Sequence, residues 1–253
     1  EEADGLGMEF QFLMQTCKSL RNVDLSDFYC WSEDIPHALQ VEPSVSRNLE
    51  SLSLMKISDG FKALELEAIT SACMNLEELR LVLLFDPRLL DFVGNDALLS
   101  PGARCKKLRV LHLIDSEEFN RGRAGEPEDG PVDAEIGKHG LIGMFQALPL
   151  LEDLAIMLSQ NVRDAALILE ALGTHCKRLM SLSLSHFQGL CKGPQPDGLA
   201  MCSGLTELVI KNCADLDDIG LSAIATGNTK LRKLELHCCR GITKDGLHIV
   251  THR

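Results

Sequence analysis

The sequence predicts an α/β solenoid, with a parallel sheet on the concave side and helices on the convex side. Three observations point to it. An apolar template, L-x-x-L-x-L with Val or Ile admitted, recurs eight times along the 253 residues. The middle of each template alternates apolar and polar, which makes a strand with one buried face. The stretches between templates carry apolar residues at helical spacing. Aromatics make up only 4% of the chain, so the core is aliphatic.

The template starts at Leu20 (LRNVDL), Leu49 (LESLSL), Leu76 (LEELRL), Leu108 (LRVLHL), Leu151 (LEDLAI), Leu179 (LMSLSL), Leu205 (LTELVI) and Leu231 (LRKLEL). Successive starts are 29, 27, 32, 43, 28, 26 and 26 residues apart. A period in the twenties on this core is the leucine-rich-repeat pattern. The repeat is sharpest at the C-terminal end. There Leu205, Leu208, Ile210 and Cys213 return 26 residues later as Leu231, Leu234, Leu236 and Cys239. The first, fourth and sixth residues of each unit point into the solenoid, and a strand runs through the fourth to sixth. Helices are predicted at 59–73, 140–148, 163–176 and 218–227. No unit buries its apolar face alone, so stability comes from stacking on neighbours. The whole of 1–253 reads as one such solenoid.

The cysteines follow the same register. Cys17, Cys73, Cys105, Cys176 and Cys202 each stand three residues before a template, and Cys213 and Cys239 stand eight after one. A small, weakly polar thiol suits a crowded turn. Reduced, buried thiols are therefore expected, in a reducing compartment.

Two units depart from the period. The one from Leu76 carries LLFDPRLLDFVGNDALLSPGARC. The one from Leu108 carries DSEEFNRGRAGEPEDGPVDAEIGKHG. From Asp115 to Glu135 eight acids face two arginines, and Gly and Pro run throughout. A mobile acidic insert is expected near 116–137. Neither chain end carries a polar capping repeat, so the sequence reads as an interior slice of a longer protein, or as one whose ends something else covers.

Net charge is −12 and the pI about 5.1, which argues against nucleic acid and anionic lipid as partners. No apolar run reaches membrane-spanning length. Phosphate-loop, dinucleotide-binding, nucleophile-elbow and H-E-x-x-H motifs are absent from the sequence. His237, Cys238, Cys239, His248 and His252 make the best metal candidate. Their spacing fits no zinc module, and Cys239 holds an inward repeat position. Glu77-Glu78 and Glu152-Asp153 are neighbouring strand residues that face opposite ways, so neither pair aims at one substrate. No catalytic, metal or cofactor site is expected.

One surface stands out. The polar x positions should line the open face of the sheet. In the third to fifth units Val82, Leu83, Ile114, Met157 and Leu158 occupy such positions on neighbouring strands, and an exposed apolar patch marks a contact site. His186, Lys211 and His237 would form its polar rim. Either the long inserts fold back over this patch or a partner protein covers it.

The pairing of L-x-x-L-x-L-x-x-C with a following D-x-G-L or D-G-L resembles the cysteine-containing repeats of F-box proteins. It is carried by LVIKNCADLDDIGL and LELHCCRGITKDGL. More particularly, HFQGLCKGPQPDGLAMCSGLTELVIKNCADLDDIGLSAIATG and LPLLEDLAIMLSQNVRDAALILEALGTHCKRL are similar to the plant F-box leucine-rich-repeat proteins of strigolactone and karrikin signalling, the more-axillary-growth or dwarf type. The resemblance implies a substrate- or receptor-recognition solenoid of a cullin-RING (SCF-type) ubiquitin ligase. It implies a Skp-type adaptor held by an F-box outside this chain, an α/β-hydrolase hormone receptor as partner, a repressor of the double-Clp-ATPase-like kind as substrate, and a nuclear, also cytoplasmic, location. No F-box-like segment precedes the first repeat. Some hormone-receptor relatives hold an inositol polyphosphate on a basic concave floor; here the x positions carry seven basic and ten acidic residues, which does not support that cofactor. The other reading is a free-standing intracellular repeat protein that scaffolds or inhibits a partner.

Overall fold

The eight templates become eight strands: β1 (Asn22–Asp24), β2 (Ser51–Leu54), β3 (Glu78–Leu83), β4 (Val110–Asp115), β5 (Asp153–Val162), β6 (Ser181–Phe187), β7 (Glu207–Lys211) and β8 (Lys233–His237). They pair in chain order, all parallel, in one sheet. The structure is a computed structural model and describes residues 5–26, 28, 32–56, 59–116, 132–191, 193 and 197–251. The chain is an α/β leucine-rich-repeat solenoid.

Helices fill the other side. They are α1 (Gly5–Thr16), α2 (Asp34–Val41), α3 (Pro43–Ser46), α4 (Ala63–Ala72), α5 (Asn95–Arg104), α6 (Lys138–Ala147), α7 (Ala165–His175), α8 (Asp218–Gly227) and α9 (Lys244–Thr251). A single 3-10 turn, Gly198–Met201, replaces the helix between β6 and β7. The helix expected from 59 begins only at Ala63. Phe61 is drawn instead into a bridge with β3, its amide donating to the Val82 carbonyl at 2.9 Å. The long unit from Leu76 holds a helix, α5, that the breakers Pro101 and Gly102 concealed. Gly102 is needed there because a Cβ would stand 2.8 Å from the Ala147 Cβ of α6.

Template leucines make the core. Leu49, Leu76, Leu108, Leu151 and Leu205 at the first position are fully buried, as are Leu52, Leu79, Leu111, Leu154, Leu182 and Leu208 at the fourth. The last repeat is different. Leu231, Leu234 and Leu236 are only partly buried, because no further strand stacks on β8 within this chain.

Register is set by a recurring backbone bond. The carbonyl of the residue after each first leucine accepts two amides from the next repeat. Glu77 and Glu78 donate to Glu50, Met180 and Ser181 to Glu152, and Arg232 and Lys233 to Thr206, all within 2.7–3.0 Å. A second ladder explains the cysteines. The residue three before each template sits where the convex segment ends, next to carbonyls left without helical partners. Cys105 Sγ donates to the Cys73 carbonyl at 3.4 Å and Cys176 Sγ to that of Leu148 at 3.5 Å. Cys202 Sγ donates to Leu169 at 3.6 Å. Ser46 and Asn228 hold the same position and do the same with Leu39 and Leu199. Any small donor serves here, and thiol is the most apolar of them. Nine described cysteines are free; Cys30 lies outside the described residues.

The expected acidic insert is narrower than 116–137. Ser116 and Ile136 are buried. Asn161 on β5 donates to the Val132 carbonyl and accepts from the Ala134 amide, both at 2.9 Å. The returning limb of the insert is thus paired to β5. Residues 117–131 lie outside the described set.

Two expectations follow. Leu182→Ala and Leu208→Ala should each cost about 2–5 kcal/mol in denaturant melts. Leu234→Ala, at the same position on the partly buried last strand, should cost clearly less; equal losses would mean that β8 is as enclosed as β6 and β7. Burial pushes the Cys105, Cys176, Cys202 and Cys213 thiols up to about 12. Native alkylation at pH 8 should therefore modify exposed Cys17 and Cys238 first. Unfolding without reductant should then release the rest to give all ten thiols; a disulfide-linked peptide in the digest would contradict this.

Candidate functional site

Parallel pairing in constant register turns each repeat position into a row across the sheet; β5 and β6 shift register only beyond Met157. Three rows line the concave face. The first runs Glu78–Val110–Asp153–Ser181–Glu207–Lys233 and the second Arg80–His112–Ala155–Ser183–Val209–Glu235. The third runs Val82–Ile114–Met157–Ser185–Lys211–His237.

Five of the eight residues expected at a partner surface lie on that third row: Val82, Ile114, Met157, Lys211 and His237. Ile114 and Met157 are half-buried and Val82 is 8% exposed. The expectation of exposure is corrected for Val82, which belongs to the core, and for Leu83 and Leu158. Leu83, Leu158 and His186 do not lie on the row. All three hold the next repeat position. In β3 and β5 the strand continues through that position and turns it inward, so Leu83 is 0% and Leu158 3% exposed. After the third row, the later strands turn sharply at this position. His186, Asn212 and Cys238 adopt left-handed φ of 60°, 54° and 56°, a conformation Asn tolerates better than most residues. His186 is held sideways, its Nδ1 2.6 Å from the Leu158 carbonyl. The Ser185 hydroxyl donates to the same carbonyl at 2.9 Å.

In the segment after Leu84, Phe85 and Val93 turn inward while Leu90 is 87% exposed.

The second feature is a polar network that pattern reading did not single out. His112 Nε2 lies 2.8 Å from Asp153 Oδ2, on the neighbouring strand. Arg80 Nη1 donates to Glu78 Oε2 at 2.7 Å, and Ser51 Oγ to the same oxygen at 3.3 Å. Burial alone would raise the Asp153 carboxyl. The His112 hydrogen bond and charge, then the Ser181 hydroxyl and Arg80, outweigh it and hold the carboxyl below its usual value. Toward β8, Lys233 Nζ lies 3.0 Å from Glu235 Oε1, and His237 Nε2 3.3 Å from Glu235 Oε2. The acids read as possible pairs also separate: Arg109 bridges Glu77 at 3.8 Å and Glu152 at 2.8 Å. Each of the acids just named lies within ion-pair distance of a basic side chain, whereas Glu207 on the first row has no such neighbour among the described residues.

Two members of the metal candidate are turned to other partners. Cys239 Sγ donates to the His237 carbonyl at 3.5 Å and His237 faces Glu235; His252 lies outside the described residues. Among the described residues no three His, Cys, Asp or Glu side chains converge, and no helix is long and apolar enough to cross a membrane. A further polar group escaped notice because inward positions were read as apolar. Asp115, buried at the end of β4, accepts from the Ser159 amide at 3.2 Å and from Gln160 Nε2 at 3.2 Å.

No protein-family profile matches the chain. Curated relatives do. An F-box protein MAX2 homolog A from Petunia hybrida is 44% identical over 247 residues, 95% of this chain and 35% of that protein. This chain is homologous to the plant MAX2 F-box proteins. An F-box/LRR-repeat MAX2 homolog from Oryza sativa subsp. japonica is 43% identical, over 95% of the chain and 33% of the relative. The F-box protein MAX2 of Arabidopsis thaliana is 38% identical over 95% and 36%. The chain spans about a third of the length of the MAX2 relatives it matches. An internalin from Listeria monocytogenes aligns at a TM-score of 0.49 and 15% identity, over 93% of this chain and 56% of that one.

The lowered Asp153 pKa sets a pH expectation for this MAX2-homologous stretch. A carboxyl lowered in the folded state adds stability that is fully present above its ordinary value, 3.8, and is lost as the pH falls through the folded value. Asp153→Asn should be less stable than the parent chain in urea melts at pH 7, and the difference should shrink as the pH drops below the ordinary carboxylate value. A difference unchanged by pH would mean that the His112 contact contributes nothing electrostatic.

Proposed function

We propose that the chain is the recognition solenoid of an SCF-type cullin-RING ubiquitin ligase in plant strigolactone and karrikin signalling. It acts by binding proteins, without chemistry of its own. The observation that carries the reading is homology to MAX2 F-box proteins along 95% of the chain, at 38–44% identity. A sheet face with an apolar row beside paired charges supports a protein partner over a small substrate. In this reading an F-box outside the chain holds a Skp-type adaptor, the solenoid takes part in receiving an α/β-hydrolase hormone receptor, and a repressor protein is the substrate. In this reading the protein works in the nucleus and also in the cytoplasm.

The test is co-precipitation of the full-length protein with a Skp-type adaptor and with the hydrolase receptor in the presence of hormone. Binding of both is expected. Loss of the adaptor would instead favour a free-standing scaffold or inhibitor. Met157→Asp places a charge on the third row while Met157 is only half-buried. It should weaken partner binding and leave the melting midpoint nearly unchanged. A drop in stability of several kcal/mol, as burying a charge would cause, would mean that the chain itself covers the row.

A further inference from the structure

The third row is graded along its length. It is apolar on β3–β5 (Val82, Ile114, Met157), carries a small residue on β6 (Ser185) and is cationic on β7 (Lys211). The Ser185 hydroxyl is engaged by the Leu158 carbonyl at 2.9 Å, so it offers only a short side chain outward. Its β6 neighbour on the second row is Ser183, and Ala155 lies beside that on β5, so the floor is low between Met157 and Lys211.

Lys211 differs from every other cation on the three rows. Arg80 is paired with Glu78, His112 with Asp153, and Lys233 and His237 with Glu235. No carboxylate among the described residues lies within ion-pair distance of Lys211. An unpaired ammonium at the end of an apolar row calls for an anionic group brought by whatever lies on it.

Spacing selects the shape of that partner. Neighbouring strands are about 4.8 Å apart, so Ile114, Met157, Ser185 and Lys211 mark steps at about 0, 4.8, 9.6 and 14.4 Å across the sheet. Residues i, i+3, i+7 and i+10 of an α-helix lie at about 0, 4.5, 10.5 and 15 Å along its axis, at about 1.5 Å per residue, and share one face. Each step matches to within about 1 Å. An extended segment places same-face residues about 6.8 Å apart and misses the second step by about 2 Å.

We propose that the concave face seats an amphipathic helix of a partner protein, lying across the strands. Apolar side chains at i and i+3 rest on Ile114 and Met157, the residue at i+7 sits over the low floor at Ser185, and an Asp or Glu at i+10 pairs with Lys211. The same series also fits in the reverse chain direction. This deepens the recognition reading and rests on it for the kind of partner, a protein.

A phage-displayed library on a stable single-helix scaffold, with one face randomised, tests it against this chain. Enriched clones should place an acid ten residues from an apolar side chain. Their binding should fall about tenfold or more on Met157→Asp. Selection against a Lys211→Glu chain should replace the acid with Lys or Arg. Thermal melts of both variants should stay close to the parent. No enrichment of this spacing, or clones that bind parent and both variants alike, overturns the proposal. A failure of the ligase reading would appear instead in the co-precipitation, which this selection does not involve.

Discussion

The concave face depends on one repeated constraint: each repeat's strand must hydrogen-bond in step with the last. The carbonyl after each first leucine accepts two amides of the next repeat, so the strands stay in step through the three rows, and β5 and β6 shift register only past Met157. A slip would send every leucine to the solvent side. Because register holds, the fourth-position leucines form one line through the core and are fully enclosed from Leu52 to Leu208. Each such side chain contributes about 1.5–3 kcal/mol by leaving water. That gain exists only where a neighbour lies on both sides, which is why Leu234, at the same position in the last repeat, is only partly buried.

The same constraint writes the surface. Residues at one repeat position become neighbours about 4.8 Å apart, whatever their distance in sequence. Charges can therefore meet sideways as well as along a strand: His112 and Asp153, 41 residues apart, meet at 2.8 Å. It also lets a row hold a gradient that no single repeat contains, from Val82 to Lys211. Lys211 stands out because the other basic side chains of the three rows each have a carboxylate beside them.

Much of this was legible in the chain itself. All eight strands and the convex helices at 140–148, 163–176 and 218–227 follow from periodicity, and the cysteines from their fixed offset. The ordered helix Asn95–Arg104 was not legible, since Pro101 and Gly102 read as breakers while tertiary packing on Ala147 requires the glycine. Nor was the limit of the acidic insert: Val132 and Ala134 look like loop and are paired to Asn161.

The sequence by itself determined the repeat, the strands and which leucines fill the core, because a two-residue alternation inside a fixed period has one way to bury its apolar face. It also narrowed the candidate surface to two adjacent repeat positions. Only the tertiary structure decided between them. Whether the second of those positions continues the strand, as at Leu83 and Leu158, or turns left-handed, as at His186, depends on what the loops beyond each strand pair with: Phe61 against β3, the returning insert against β5. Those contacts join residues far apart in the chain, and no local pattern records them.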